Sequence, residues 1–238
     1  MAVQVRLAGP DDIPAMAAAL GRAFADDPIF EYLLPGVPPE VRAKRTAPFF
    51  AVDTRIRVRS ASAWTTPEHA GAALWAPPGK WRTSLGDSLR MAWPMVRASR
   101  GRALTRYSVL SAIEKVHPRQ PHWYLAVLGT DPDRQGEGVG GALMTPVLER
   151  CDADGIPAYL ETAKEANIGY YERFGFTVER ELPLPRGAPT LWPMWREPRM
   201  SDSGRSPQVS DSGRTPQVSD GGRTPRMSDS GRDPQDSG

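Results

Sequence analysis

A single cysteine, Cys151, stands among 238 residues. That excludes an internal disulfide and any cysteine-rich zinc site, and it suits a reducing compartment. No uncharged apolar run approaches the roughly 20 residues that a bilayer crossing needs. The opening MAVQVRLAGPDD has no apolar core of signal-peptide length. The formal charge is only +2, so the strongly basic face of a nucleic-acid binder is missing. We expect a cytoplasmic protein, monomer or homodimer, with no metal and neither nucleic acid nor membrane as partner.

Trp, Tyr, Phe, Leu and Ile are all missing after position 199. There a nine-residue unit recurs as SDSGRSPQV, SDSGRTPQV, SDGGRTPRM and SDSGRDPQD, marked by Ser201, Ser210, Ser219, Ser228 and Ser237. Repeat proteins stack because each unit has an apolar face to bury. These units carry at most one Val or Met, so they cannot offset the entropy of ordering. The sequence predicts one folded domain over 1–199 and a disordered repeat tail over 200–238. Ser206, Thr215 and Thr224, each before a proline, would suit phosphorylation or a partner.

Within 1–199 strands and helices alternate. Residues 3–7, VQVRL, read as a short strand. Asp11 sits where a helix cap belongs, and Ile13, Met16, Leu20 and Phe24 recur at helical spacing. A short helix is predicted over 29–34, a longer one from Pro38 toward Val58, and a strand pair over 62–66 and 70–76. Residues 83–116 read as helical with a break near 99–101. HWYLAVL, 122–128, is the strongest strand signal. A glycine-rich turn then leads into a helix ending near Asp154. Strands are predicted over 158–162, 176–182 and 190–195, with a short helix over 167–174. This order implies a mixed α/β sheet with helices on its faces.

The segment after the strong strand reads GTDPDRQGEGVGGALM. Gly136, Gly138, Gly140 and Gly141 crowd a strand-to-helix turn, where bare backbone N–H groups and the helix N-terminus suit a phosphate or pyrophosphate. Arg134 could add a charge. A Walker loop is excluded, because no Gly-Lys-Ser/Thr occurs. Gly136 to Gly141 satisfies the bare G-x-G-x-x-G of a dinucleotide site, with Glu161 in range of a ribose. The turn nevertheless comes late in the chain, after several helices and an antiparallel-looking strand pair. A glycine-rich turn with no ligand is the plain alternative.

Gln135-Gly136-Glu137-Gly138-Val139-Gly140 resembles the Q/R-x-x-G-x-G/A pyrophosphate motif of the GCN5-related N-acetyltransferases (GNAT). The later phrase LETAKEANIGYYERFGF, 160–176, resembles that superfamily's second signature: a strand, an Asn, then Tyr-Glu-x-x-Gly-Phe. The resemblance covers 122–198 and also 3–34, while 38–119 matches only in outline. Within the superfamily, the phrases around the glycine turn and the last strands look most similar to its puromycin-acetylating members. The resemblance implies the GNAT fold, a mixed central sheet of six to seven strands. Two parallel strands, 124–129 and 158–162, would splay apart in a V, and Gly129 would keep that gap clear for a ligand. It also implies acetyl-CoA as cofactor, held by Leu128, Thr130, Arg134, Gln135, Gly136, Glu137, Gly138, Val139, Gly140, Gly141 and Asn167.

Acetyl transfer from a thioester to an amine needs a neutral amine, a site for the oxyanion and an acid for the departing thiolate. An alkylammonium with a pKa of about 10.4 must lose a proton first. Tyr171 matches the Tyr of the second signature and is the candidate acid, with Tyr170 as core. Glu161, at a strand end, is the candidate base or else a solvated carboxylate; Glu165 is near enough to substitute. A backbone N–H near Leu128 would meet the oxyanion. His69, His117 and His122 read as structural or solvated, and Cys151 as packing. Phe24, Asp27, Phe30, Tyr32 and Trp192 are candidates for the acceptor side, although Asp27 equally suits a helix-terminating turn.

Three functions follow from the resemblance: an N-acetyltransferase for a small amine, one for protein N-termini or lysines, and a non-catalytic acetyl-CoA-binding domain. A closed aromatic pocket would favour the first, an open acidic groove the second, and the presence of Tyr171 argues against the third. The tail reading gives a first testable outcome. Truncation after Arg199 should leave melting temperature and turnover nearly unchanged, because the repeats have no apolar face with which to dock; a fall of many degrees would contradict it.

Overall fold

The computed structural model describes residues 2–99, 113–185 and 187–199. The repeat tail, and hence its predicted disorder, lies outside the described residues, as does the predicted helix break at 100–101.

The elements are β1 (Arg6–Leu7), α1 (Ile13–Ala23), α2 (Pro28–Leu33), α3 (Pro39–Arg59), β2 (Ala63–Thr65), β3 (Gly71–Ala76), α4 (Leu85–Ala98), β4 (Trp123–Thr130), α5 (Val139–Asp154), β5 (Ala158–Thr162), α6 (Ile168–Glu172), β6 (Thr177–Val178) and β7 (Trp192–Arg196). The seven strands form one sheet in the order β1-β2-β3-β4-β5-β7-β6. Only β4 and β5 run parallel; the other neighbours are antiparallel. This is a mixed sheet of seven strands with one parallel pair, as the resemblance implied.

Helix periodicity decides which side chains enter the core. In α1 Ile13, Met16, Ala17 and Leu20 are buried, one apolar stripe at spacings of three and four. In α3 Pro39 supplies a preset first turn, Glu40 sits at the positive end, and Arg57 and Arg59 at the negative end. Met16 and Leu20 of α1 and Phe50 of α3 pack with Leu74 and Val127 on one side of the sheet. On the other, Val139, Leu143, Met144 and Val147 of α5 pack against Leu125, Leu160 and Trp75. Cys151 lies in that second core, fully buried, as the sequence suggested.

Several local expectations shift. Asp11 caps nothing that the structure shows; a 3-10 turn over Pro10–Asp12 precedes α1. Asp12 accepts from Gly9 N at 2.7 Å and from both terminal nitrogens of Arg6. The first strand contracts to Arg6–Leu7. The predicted strand over 176–182 is only Thr177–Val178 plus an isolated bridge from Leu182 to Leu191.

Gly129 is also corrected. A Cβ there would stand 2.9 Å from both Ala23 Cβ and Leu20 Cδ2 and 3.1 Å from the Phe24 ring. The glycine lets α1 lie against β4, and ligand clearance is not the reason for it. Gly129→Ala should therefore destabilise the fold by about 1–3 kcal/mol through overpacking, read by denaturant unfolding. Wild-type stability would contradict the close approach.

Candidate active site

The pairing of β4 with β5 covers Trp123–Ala158, Tyr124–Tyr159 and Leu125–Leu160, and stops there. Beyond it β4 runs on to Thr130 with β3 as its partner, and β5 runs on to Thr162 with β7 as its partner. The facing edges are unpaired over 126–130 on β4, so backbone groups near Leu128 are open to a ligand. Buried backbone donors without partners are rare, and a carbonyl oxygen is the kind of group they would accept.

The glycine turn stands at one end of this gap. Gly136 and Gly138 have φ of +83° and +82°, and a Cβ at either would meet nothing within 4 Å. Here glycine is required by the left-handed backbone, and open space lies in front of it. Gly138 is the N-cap of α5 and brings no capping side chain. The first N–H groups of α5, at Val139 to Gly141, thus have neither a helical acceptor nor a cap. That arrangement fits an anionic pyrophosphate. The other two glycines serve packing. A Cβ on Gly140 would fall 2.5 Å from the Tyr170 hydroxyl, and one on Gly141 3.0 Å from the Phe174 ring.

The remaining proposed cofactor contacts divide. Thr130 closes β4, and Gln135 and Glu137 are exposed at the turn. Arg134 is already engaged, with Glu137 at 2.8 Å and Glu68 at 3.5 Å. Asn167 precedes α6, and its side chain makes no cap bond.

Tyr171, on α6, is buried against Phe176 in the α5-side core. Burial pushes its phenol well above the ordinary tyrosine range, and Tyr170 and the Asp27 carboxylate add to the shift. The phenol therefore stays protonated, as a donor must. Asp27 itself caps α2, accepting from Ile29 N at 2.9 Å and Phe30 N at 3.3 Å. Burial raises its pKa. Asp27 thus opens α2 as its N-cap and does not simply end α1, and these bonds account for it without a direct contact with the acceptor amine. Neighbouring Asp26 pairs with Lys164 Nζ at 2.6 Å, tying the segment after α1 to the loop after β5. Tyr170 is half-buried, and its hydroxyl has no partner among the described residues.

The opposite face of the splay carries a buried polar cluster. The Glu161 side chain is only 7% exposed and lies with Oε1 3.5 Å from His117 Nδ1. That separation is too long for a good hydrogen bond. Oε1 and the Tyr159 hydroxyl are both buried with no hydrogen-bond partner among the described residues. Burial, then Glu161, drives the Tyr124 and Tyr159 phenols far above their ordinary range. His117 stacks on Trp81 at 3.8 Å and meets His122 at 3.0 Å, Nε2 to Nε2. Glu161 is no solvated strand-end carboxylate, and His117 and His122 are not solvated either. His69 lies elsewhere, 2.7 Å from Asp12. The sequence offered only the spacing of His117 and His122, bracketing Pro118 and Pro121 just before the strong strand.

Next to this cluster is a cavity of about 370 Å³, lined by Phe24, Phe30, Phe49, Phe50, Trp81 and Met95 with His117 and Tyr124 as polar members. Of the five proposed acceptor residues its lining takes Phe24 and Phe30. Asp27, Tyr32 and Trp192 are not in it; Tyr32 packs between two apolar clusters and Trp192 pairs with Thr162 on β5. A larger, more open hollow of about 600 Å³ around Lys44, Trp93 and Arg97 has none of the groups that the chemistry requires.

Residues 95–176 match the acetyltransferase (GNAT) family. An uncharacterized N-acetyltransferase of Schizosaccharomyces pombe is 28% identical over 184 residues, 74% of either chain. A mycothiol acetyltransferase of Streptomyces coelicolor is 39% identical over 72 residues, 29% of this chain and 23% of that one. A solved structure from Corynebacterium glutamicum, described as histone acetyltransferase HPA2 and related acetyltransferase, superposes with a TM-score of 0.59 at 23% identity. It covers 85% of this chain and 99% of its own, a likeness of fold.

Gly138→Val would force a branched side chain into a left-handed backbone at the head of α5. Calorimetry should then show acetyl-CoA affinity lowered more than tenfold, a loss above about 1.4 kcal/mol, and undiminished binding would contradict the site.

Proposed function

We propose that this chain, an acetyltransferase of the GNAT superfamily, carries an acetyl group from acetyl-CoA directly to the primary amine of a small molecule with an apolar or aromatic body. The cavity beside Glu161 and His117 carries this reading. It is walled by four phenylalanines and Trp81, which suits a ring system and not a peptide laid along an open acidic groove. Small-molecule sites are typically concave and apolar with a few convergent polar groups. Asp53 and Arg57, 3.1 Å apart and nearly buried, also line it. A paired guanidinium of this kind suits a carbonyl or hydroxyl oxygen of the acceptor. An antibiotic, a nucleoside or a peptide-like metabolite fits that description. The likeness of the glycine turn and last strands to puromycin-acetylating enzymes supports an aminoacyl nucleoside as the first acceptor to assay. We place the reaction in the cytoplasm of the cell, in a monomer or homodimer.

Acetyl-CoA, when bound, supplies a thioester carbonyl as electrophile. Gly136, Gly138 and the first turn of α5 would hold its pyrophosphate, with Thr130, Gln135 and Asn167 beside them. The unpaired edge of β4 near Leu128 would hold its arm and receive the developing oxyanion, where a placed donor in a dry site contributes about 3 kcal/mol. The buried pair of Glu161 and His117 would take the proton from the ammonium. Tyr171, kept protonated by burial, would give one to the departing sulfur. No acyl-enzyme is required, and Cys151, with a thiol pushed up to about 12 by burial, is unsuited to form one.

Two measurements test this reading. Given acetyl-CoA and a panel of amines, the protein should release CoA thiol with small aromatic amines far faster than with lysine or N-terminal peptides; the reverse order would favour a protein substrate. Tyr171→Phe keeps the ring and removes only the donor. Turnover should fall by about a hundredfold while acetyl-CoA affinity changes little, because the bond matters mainly in the transition state. Full activity would remove Tyr171 from the chemistry.

A further inference from the structure

We propose that His117 Nδ1, facing the Glu161 carboxylate, is the atom that takes the proton from the acceptor ammonium. The proposal rests on the acetyl-transfer reading and sharpens it, because the resemblance pointed to Glu161 or Glu165 as the base and the histidines read as structural or solvated.

The hydrogen bonds around the two rings fix their tautomers. His122 Nδ1 lies 2.7 Å from the Gln120 carbonyl oxygen. A carbonyl only accepts, so Nδ1 carries the hydrogen. Burial pushes the His122 imidazole below the ordinary histidine range, and His117 adds to that shift, so the ring is neutral. A neutral ring protonated on Nδ1 has a lone pair on Nε2. That lone pair stands 3.0 Å from His117 Nε2, which must then be the donor. With Nε2 carrying the hydrogen, the neutral form of His117 has a bare Nδ1.

This bare nitrogen points at Glu161 Oε1 across 3.5 Å. Both rings are buried, His117 7% and His122 2% exposed, and Oε1 accepts nothing among the described residues. In that form two acceptors face each other; the Tyr124 and Tyr159 hydroxyls neighbour the carboxylate, and a third group that brings hydrogens can serve both acceptors at once. An ammonium brings three. It can donate to Nδ1 and to Oε1 together, and the Tyr159 hydroxyl, also unpartnered, can turn to accept or donate.

The proton step balances within these groups. The N–H bond of the ammonium breaks, its electron pair stays on the amine nitrogen for attack, and a new N–H bond forms at His117 Nδ1. The resulting imidazolium donates at both ends, to Glu161 through Nδ1 and to His122 through Nε2, so its charge is paired at once. Every group packed on the ring has a part. Trp81 stacks on it at 3.8 Å, with the Arg82 guanidinium 4.7 Å from the Trp81 ring. Tyr124 and Tyr159 meet it edge-on, His122 lies on β4's side and Glu161 on β5's, and Glu114 lines the same cavity. Glu161 is the nearest anion, and it stabilises the charged ring. His122 is a positioning residue: it touches no substrate and sets which nitrogen of His117 is bare.

The tautomer can be read without turnover. Long-range 1H–15N spectra of the full chain labelled at histidine nitrogens should show His117 protonated on Nε2 and bare on Nδ1. In activity, His117→Ala should lower kcat about a hundredfold or more, leave acetyl-CoA affinity near wild type, and recover part of its rate with added imidazole, which a purely structural role would not allow. A wild-type His117 protonated on Nδ1 alone would overturn the proposal, whether or not the alanine variant folds. So would an alanine variant as fast as wild type. If the wild type acetylates no amine in the panel, the acetyl-transfer reading falls and takes the proposal with it; if the wild type is active and His117→Ala equally so, only the proposal falls.

Discussion

The parallel pairing of β4 with β5 breaks off after Leu125 and Leu160, and the rest of the site is organised by that break. Each strand is held by its other neighbour once it leaves the pair: β4 by β3 as far as Gly71–Thr130, and β5 by β7 as far as Thr162–Trp192. The close seat of α1 on Gly129 fixes β4 from the side, and Ala126, the extra residue between the pairs Leu74–Val127 and Trp75–Leu125, makes a bulge in β4 where its pairing with β5 ends. A gap between two strands inside a sheet exposes unpaired backbone in a protected place. In a sheet core that is a liability. In an enzyme it provides donors aimed at a ligand, already oriented before the ligand arrives.

The same break separates two kinds of environment. On the α5 side, the chain contributes bare backbone: two left-handed glycines, an uncapped helix end and a protonated Tyr171. On the α1 and α3 side it contributes side chains: an aromatic cavity and, against it, Glu161, His117, His122, Tyr124 and Tyr159. The first set suits the large, anionic, invariant part of a cofactor. The second suits a variable acceptor. Of the buried side-chain polar atoms without partners among the described residues, Glu161 Oε1 and the Tyr159 and Tyr170 hydroxyls lie along this division, and the others are on Arg42, Thr54 and Trp75. Buried polar groups are normally satisfied, so the three at the division fit a place that a ligand completes.

Much of the scaffold could be read from the sequence because it is written in local chemistry. Alternation gave β4 and β5, the apolar stripe gave α1, and Pro39 with Glu40 gave the start of α3. Gly136 and Gly138 were legible as turn glycines because a positive φ needs glycine whatever lies around it. Gly129 was assigned to ligand clearance for the same local reason, and there the reading failed; at Gly140 and Gly141 the sequence did not show that a Cβ would also collide with packed rings. Their need for glycine comes from Tyr170, Phe174 and α1, which are distant in sequence. Asp27 and Asp12 show the same limit: which of two adjacent carboxylates caps a turn depends on where the backbone N–H groups point. His117 was invisible for the strongest version of this reason. Its neighbours Trp81, His122 and Glu161 come from three separate segments, and nothing in its own flanking residues records that they converge.

The central claim is that the unpaired edge of β4 receives the cofactor arm. Amide hydrogen exchange resolved by residue, with and without coenzyme A, tests it most directly. The account predicts that amides in 126–129 that face the gap slow markedly on binding, together with those of Val139 to Gly141 at the head of α5. Slowing confined to the glycine turn, with exchange along 126–129 unchanged, would place the arm elsewhere and contradict the account.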